Sequence, residues 1–477
     1  MDLHISLEGR GDRTDRIYRQ LRDAILDGRL RAGERVPPSR ELARRLSVAR
    51  NTVAAAYDRL VGDGFLEGRA GAGTFVAFRP ARPSPRRAPG GALRPAPRWT
   101  HLLDEPVDEP VDELGPTAPA RFDLRAGHPD PALFPLATWR RLLGRAVAAQ
   151  AEYGDPAGVP ELRAALARHA GLSRSVRAAP GDVLVTHGAQ QALDLIARVL
   201  VEPGTVVAVE EPGYPPARQL FASHGARVVG VPVDAEGIVV DALPRTARLV
   251  YVTPSHQYPL GTAMSLHRRS ALLAWAEETG AAVVEDDYDS EFRFSERPLE
   301  PLQSLDRAGR VIYVGSFSKT LLPALRLGFL VAPATLRPAL WAAKRITDWH
   351  GDPAAQLALA AFVEEGRLAR HLRAVTRVYA ARHELLTAAA RGPLAEWFSL
   401  VPSSAGLHLT FRAAPGLPLD AVLARLRAAE VAVEPLPAFY AEPPARPDPG
   451  LVVGYGSIPT GLLPEAILRI AAACRDA

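Results

Sequence analysis

The sequence predicts two folded modules. The first is a small α+β module of three helices and a hairpin. The second is a large α/β domain with a mostly parallel sheet and a smaller α+β part. Three observations carry this. Apolar residues recur at helical spacing three times near the start, and two short β-like pieces follow. Ten prolines then fall within residues 80–120. After them, strand-like and helical runs alternate for more than 300 residues. The expected boundaries are 1–79, 80–120 and 121–477, the last with a large part at about 155–345 and a small part at about 346–477. A chain of 477 residues, 47% hydrophobic and 23% charged, is long enough and apolar enough for such cores.

In the first module, Ile17, Leu21 and Ala24/Ile25 mark one helix. A second follows Pro37-Pro38, with Ser39 expected at its N-cap, and runs through Leu42 and Leu46. A third, at about 50–61, buries Val53, Tyr57 and Leu60. Pieces at 65–69 and 74–78, joined by Ala70-Gly71-Ala72-Gly73, read as a hairpin. Two short helices, a tight turn and a hairpin make a winged helix-turn-helix, whose third helix would enter a DNA major groove. Arg50, Asn51 and Thr52 at its start have the chemistry for guanine, adenine and phosphate. Arg40 and Arg69 are placed to hold phosphates, and Gly71 and Gly73 allow the wing close approach. Residues 1–79 hold 15 Arg against 11 acids, whereas 121–477 hold 37 basic and 36 acidic residues. The chain's net charge of +4 thus sits on the first module. It favours an anionic partner, although a solvated basic face accounts for it equally well.

Residues 80–120 run from Arg-rich text into the acidic repeat DEPVDEPVDE. Pro-rich charged text cannot bury a core, so an extended linker is expected there.

Beyond it, strands are expected at 182–186, 206–209, 227–231, 249–252, 281–285, 311–314 and 327–331, with helices between most of them. That alternation argues for a largely parallel sheet covered on both faces. From about 350, long Ala/Leu/Arg helices precede strands at 407–411 and 451–455.

Only two lysines occur, Lys319 and Lys344, so 55 of 57 basic residues are Arg. Arginine cannot form a Schiff base, so lysine chemistry has two possible positions. The strand ends supply a set that suits pyridoxal 5'-phosphate (PLP). Lys319 would carry the Schiff base. Asp286 would keep the pyridine nitrogen protonated, and Tyr288 would reach the phenolic oxygen. Tyr214 offers a flat ring. Gly188, Ala189 and Gln190 open a helix whose amides suit a phosphate, helped by Ser316, Ser318 and Arg326. His256 sits in the turn TPSHQYPLG beside the phenolic oxygen, where a plain hydrogen-bonded turn residue is an equal reading.

The single cysteine, Cys474, excludes a disulfide framework and a Cys-based zinc site, and no metal site is expected. The charged N-terminus lacks an apolar signal region, and no run of about 18 uncharged apolar residues occurs. A cytoplasmic chain with no membrane partner is expected.

Residues 33–76, GERVPPSRELARRLSVARNTVAAAYDRLVGDGFLEGRAGAGTFV, closely resemble the GntR family of bacterial transcription factors. That family usually has Ser where Ala49 stands. Losing such a cap costs about 0.5–2 kcal/mol. Residues 121–477 resemble fold-type I PLP-dependent enzymes, with Ser316-Phe317-Ser318-Lys319 matching their lysine motif. That resemblance implies that Arg326 clamps the phosphate. It also implies that Tyr153 reaches the partner subunit's phosphate in a homodimer with cofactor sites at the interface. The joint layout, with TPSHQYPLGTAMSLHRR, VVEDDYDSEF and SFSKTLLPALRLGF, resembles the MocR subfamily of GntR regulators.

The resemblance implies a PLP-responsive regulator that binds a double-stranded DNA operator, with vitamin B6 or amino-acid metabolism as its target and an amino acid or amine as a further effector. The alternative is a catalytically active aminotransferase with an accessory DNA-binding module. Related enzymes place an Arg in the last strand for the substrate carboxylate; the apparent position here is Val452, with Arg446 nearby in a Pro-rich loop. A scaffold that binds nothing would not need the cofactor set.

Overall fold

A computed structural model describes residues 12–78, 96, 99, 120–147, 153–294, 300–441 and 448–477. The chain divides into two compact units, Met1–Arg94 and Pro95–Ala477. The expected linker lies outside the described residues except at 96, 99 and 120.

In the first unit, helix α1 (Arg13–Leu26) starts where the Asp12 side chain accepts from the Thr14 amide, 3.0 Å away. It buries Ile17, Leu21, Ala24 and Ile25 on one face. Helix α2 (Ser39–Arg45) departs from expectation at its cap. Pro38 is the N-cap and Ser39 is already helical. The Pro38 carbonyl accepts from Glu41 and Leu42 at 2.8 and 3.0 Å, so the preset proline dihedral starts the helix without a side-chain cap. Helix α3 (Arg50–Gly62) follows Ala49, which makes no side-chain cap bond. Val53, Ala56, Tyr57 and Leu60 meet α1 and α2 in one core. The hairpin pairs β1 (Leu66–Arg69) with β2 (Gly73–Val76) antiparallel, closing the core with Leu66 and Val76. Its strands are shorter than the sequence suggests, because Phe65 and Phe78 leave the ladder and pack ring to ring at 5.2 Å.

In the second unit, β3 (Phe122–Asp123) comes first among the strands and eight further strands form the main sheet. These are β4 (Val183–Thr186), β5 (Val206–Glu211), β6 (Arg227–Asp234), β7 (Gly237–Ile238), β8 (Ala247–Val252), β9 (Ala282–Asp287), β10 (Val311–Ser316) and β11 (Gly328–Val331). Their order is β4-β11-β10-β9-β8-β5-β6-β7. The five strands β10, β9, β8, β5 and β6 run parallel, and β11 lies antiparallel between β10 and β4. The expected mostly parallel sheet is borne out.

Strand alternation puts the two faces into separate cores. Val183, Val185, Tyr313, Phe329 and Val331 pack with helices Pro160–Arg174 and Pro353–Glu364. Leu184, Ile312, Val314 and Leu330 pack with helices Gly188–Leu200 and Arg337–Asp348.

The smaller part builds an antiparallel sheet from β12 (Phe398–Leu400), β13 (His408–Ala413), β15 (Glu434–Pro435) and β16 (Gly450–Gly454), in the order β12-β13-β16-β15. Leu409, Phe411, Leu451 and Val453 pack against helices Arg367–Arg391, Leu419–Ala428 and Leu463–Arg475. This part is not confined to residues after 346. β3 pairs parallel with β14 (Val431–Ala432), and Phe122 and Leu124 lie in the same core. Burying two large apolar side chains draws the start of the unit across to its end.

Candidate functional site

The C-terminal ends of parallel strands β9 and β10 bring Asp286 and Lys319 into electrostatic reach, at the edge where parallel sheets favour ligand sites. Lys319 follows β10 in a loop, and its Nζ donates to the Gly127 carbonyl at 2.6 Å. Gly127 has φ +80°, and a Cβ there would stand 2.9 Å from Nζ, so the close approach requires glycine. Burial pulls the Lys319 pKa down, while Asp289, Asp286 and Glu434 oppose that pull. The other lysine, Lys344, is paired with Asp348 at 2.5 Å.

Asp286 leaves β9 fully buried. Its Oδ2 accepts from the Tyr251 hydroxyl at 2.8 Å, and its Oδ1 has no hydrogen-bond partner. Burial raises its pKa to about 7. A buried acceptor without a donor costs about 1–3 kcal/mol. A protonated pyridine N–H supplies the missing donor, so this carboxylate fits the cofactor its fold class implies.

At the phosphate end, helix Gly188–Leu200 begins at Gly188, whose φ is +71°. Its first amides, including those of Ala189 and Gln190, have no helical acceptor. A Cβ on Gly188 would lie 3.4 Å from both Nη atoms of Arg326, so the guanidinium stands beside the helix start. Arg326 adopts φ +50° and donates from Nη2 to the His187 carbonyl at 3.0 Å. Ser316 and Ser318 are 3.1 Å apart through their hydroxyls. The Gln190 side chain turns to the Pro216 carbonyl at 3.4 Å, leaving its amide as the feature nearest this end. Tyr214 caps helix Pro215–Ser223 and meets Tyr258 edge-on at 5.6 Å.

Three of the expected site residues contact other groups of the chain. Tyr288 does not present a free hydroxyl. It donates to the His256 carbonyl at 2.8 Å and lies 3.0 Å from His256 Nδ1. β9 ends at Asp287, just before Tyr288, and the hydroxyl that meets Asp286 comes from Tyr251 on β8. His256 is buried in a set of its own. Asp289 holds its Nδ1 at 3.0 Å, and its ring lies 4.5 Å from that of His408. The ligand atoms of His256, Asp289 and His408 lie within 4.8 Å of one another. Hydrogen bonds already engage the first two together and tie His408 to the Pro259 carbonyl at 2.9 Å. Tyr153 is 85% exposed, with its ring against Trp349 and His350, as a side chain that reaches toward a partner subunit would be.

Sequence reasoning missed Gly127, Tyr251, Asp289, His408 and Glu434. Gly127 carried only the signal of a lone glycine in RAGHP. The Glu434 carboxylate accepts from the Ala126 amide at 2.6 Å, and Glu434 lies opposite buried Val452 in the β15–β16 ladder. A carboxylate therefore neighbours Val452, while Arg446 lies outside the described residues.

In the first unit, the exposed side chains of Arg40, Arg50 and Asn51 make no hydrogen bond or ion pair to other described residues. Thr52 is half-buried. Arg69 is not free. It pairs with Glu67 at 2.5 Å and stacks 4.7 Å over Phe75, so a phosphate there competes with a carboxylate. Gly71 has φ +73° and open space around it. Gly73 has an internal reason: a Cβ would stand 2.7 Å from Arg35 Nε.

Residues 130–444 match the family Aminotransferase class I and II, and residues 13–76 match Bacterial regulatory proteins, gntR family. Fold and site thus define a GntR-type DNA-binding head on an aminotransferase-class body. The chain is 39% identical to the probable rhizopine catabolism regulatory protein MocR of Rhizobium meliloti, over 94% of this chain and 91% of that one. It is 32% identical to the HTH-type pyridoxine biosynthesis transcriptional regulator PdxR of Corynebacterium glutamicum, over 92% and 90%. The chain belongs to the MocR-type regulators of the GntR family. A solved structure of LysN, the α-aminoadipate aminotransferase of Thermus thermophilus complexed with N-(5'-phosphopyridoxyl)-L-leucine, matches with TM-score 0.68 and 30% identity. It covers 80% of this chain and 95% of that one. The head implies DNA binding, and the body's family implies PLP. Among the described residues no helix is long and apolar enough to cross a membrane.

Proposed function

We propose that this regulator holds PLP at Lys319 and changes its grip on operator DNA according to whether that cofactor is bound. The observation that carries the reading is the unpartnered Oδ1 of buried Asp286, in electrostatic reach of Lys319. When bound, PLP supplies an aldehyde for a lysine and an electron-withdrawing ring. The chain's own groups do the rest. Asp286 is held by Tyr251 through one oxygen, and its other oxygen would accept from a ring N–H. Arg326 and the helix start at Gly188 favour a phosphate. Gly127 leaves room over the lysine amine.

Sensing is favoured over turnover by Val452 and Glu434. Transamination needs a cation for the substrate carboxylate, and this position offers a valine next to an acid. The effector acts through unequal affinity for two states of a homodimer. PLP itself is the effector, with an amino acid or amine adduct as the second reading. Vitamin B6 metabolism is the target class, by likeness to PdxR.

Footprinting of the DNA upstream of the chain's own coding sequence, with and without PLP, tests this. Protection should change with PLP. An unchanged pattern at saturating PLP overturns the sensor reading. Rapid conversion of bound PLP to its amine form by an amino acid favours the enzyme instead.

A further inference from the structure

We propose that the cleft between the two halves of the second unit is a separate binding site for a small organic acid bearing a carboxylate or phosphate group. The cavity has a volume of about 680 Å³. That lies in the range of metabolite pockets and exceeds what one inorganic anion fills. Ser255, Gly261 and Arg293 line it from the larger half, and Thr387, Arg391 and Ser403 from the smaller.

Two side chains on this wall, Arg293 and Thr387, have buried polar atoms without partners. Arg293 Nε and Nη2 are buried with no acceptor, and Thr387 Oγ1 is buried with none either. Neither Arg293 nor Arg391 forms an ion pair among the described residues. Buried donors left unmade are costly, and more so when charged. Burial and the nearby Arg174 pull the Arg293 pKa down to about 10, against Asp287 and Asp289, while Arg269 adds to the pull. An anion between Arg293 and Arg391 satisfies the open donors and balances the buried charge. Leu400, Pro402 and Ala390 leave an apolar strip for a carbon skeleton.

This cavity is not the cofactor cleft. Lys319, Asp286, Ser316 and Arg326 are absent from its wall. The two are nonetheless joined. Ser255 accepts from Arg174 Nη2 at 2.8 Å, and Arg174 pairs with Asp287 at 2.8 Å, next to Asp286. The following residue, His256, holds Tyr288. A ligand that bridges both walls therefore presses on the turn that flanks the cofactor acid.

The test is calorimetric titration of the full chain, kept in excess PLP, with glutarate and separately with pyrophosphate. At least one probe should bind saturably without changing the visible spectrum, and which one binds identifies the anionic group. Arg293→Gln should weaken that binding about tenfold or more, the loss expected for a charged hydrogen bond. It should melt no lower than the parent, since it removes an unpaired buried charge. Absence of binding by both probes, or equal affinity in the variant, overturns the proposal. If R293Q does not fold, Arg391→Gln at the exposed rim decides, and unchanged affinity there overturns it too.

Discussion

The Tyr251 hydroxyl donates to Oδ2 of Asp286 at 2.8 Å and thereby fixes which oxygen of that buried carboxylate is left for a ligand. Tyr251 is itself fully buried between β5 and β9, so the carboxylate has little freedom to turn. Replacing Asp286→Asn keeps the shape and removes the charge. Retention of PLP through dialysis, followed by visible absorbance, should fall at least about tenfold, as for a lost charged hydrogen bond. Equal retention would remove Asp286 from the site.

The same carboxyl makes stability depend on pH. Its folded pKa is raised to about 7 from an ordinary 3.8, mainly by burial. Between those values the folded chain holds the proton more tightly than the unfolded chain. Its contribution is therefore greatest at low pH and is lost as pH rises through about 7. Without PLP, the parent should lose Tm more steeply than Asp286→Asn between about pH 5 and 7.5. Glu210, Glu285 and Glu291 have values raised in the same direction but are common to both proteins. Parallel Tm-against-pH curves would contradict the assignment.

Lys319→Ala should abolish visible cofactor colour, because Lys344 is buried in its pair with Asp348 and cannot replace it. Gly127→Ala should lower PLP retention without abolishing colour. Its Cβ would stand 2.9 Å from Nζ, and φ +80° strains any residue but glycine. Both are read in one absorbance titration, and undiminished colour in the lysine variant sinks the cofactor reading.

Arg50→Ala should weaken operator binding by about 1–3 kcal/mol and relax base preference at one position, as loss of a bidentate base contact does. Fluorescence anisotropy against operator and scrambled DNA measures both. An equal loss on the two DNAs would make Arg50 a phosphate contact.

Ala49→Ser places an acceptor at the uncapped start of α3. It should stabilise the DNA-binding unit by about 1 kcal/mol. Thermal unfolding reads this directly, and an unmoved transition would mean that water caps the helix equally well.

The fold was legible in the sequence wherever a local rule operated. Helical spacing located α1 and α3, and runs of β-branched residues located β5, β8, β9 and β10. Where two local signals competed, the reading slipped. Ser39 is a good cap residue by type, yet the Pro38 dihedral already starts the helix. The contact of the Tyr288 hydroxyl with the His256 carbonyl, 32 residues away in the chain, has no local signal.

The sequence by itself determined that this is a GntR-type head joined to an aminotransferase-class body, and that one of two lysines carries any cofactor. Those properties reside in motifs a few residues long, where dihedral preference and hydrophobic period act locally. Only the tertiary structure decided that Tyr251 orients Asp286, that Gly127 covers Lys319, and that Arg293 and Arg391 share a cavity. The first two pairs are 35 and 192 residues apart in the chain. Nothing in local periodicity encodes which distant side chains meet, because that choice is made by how the sheet and its two cores pack.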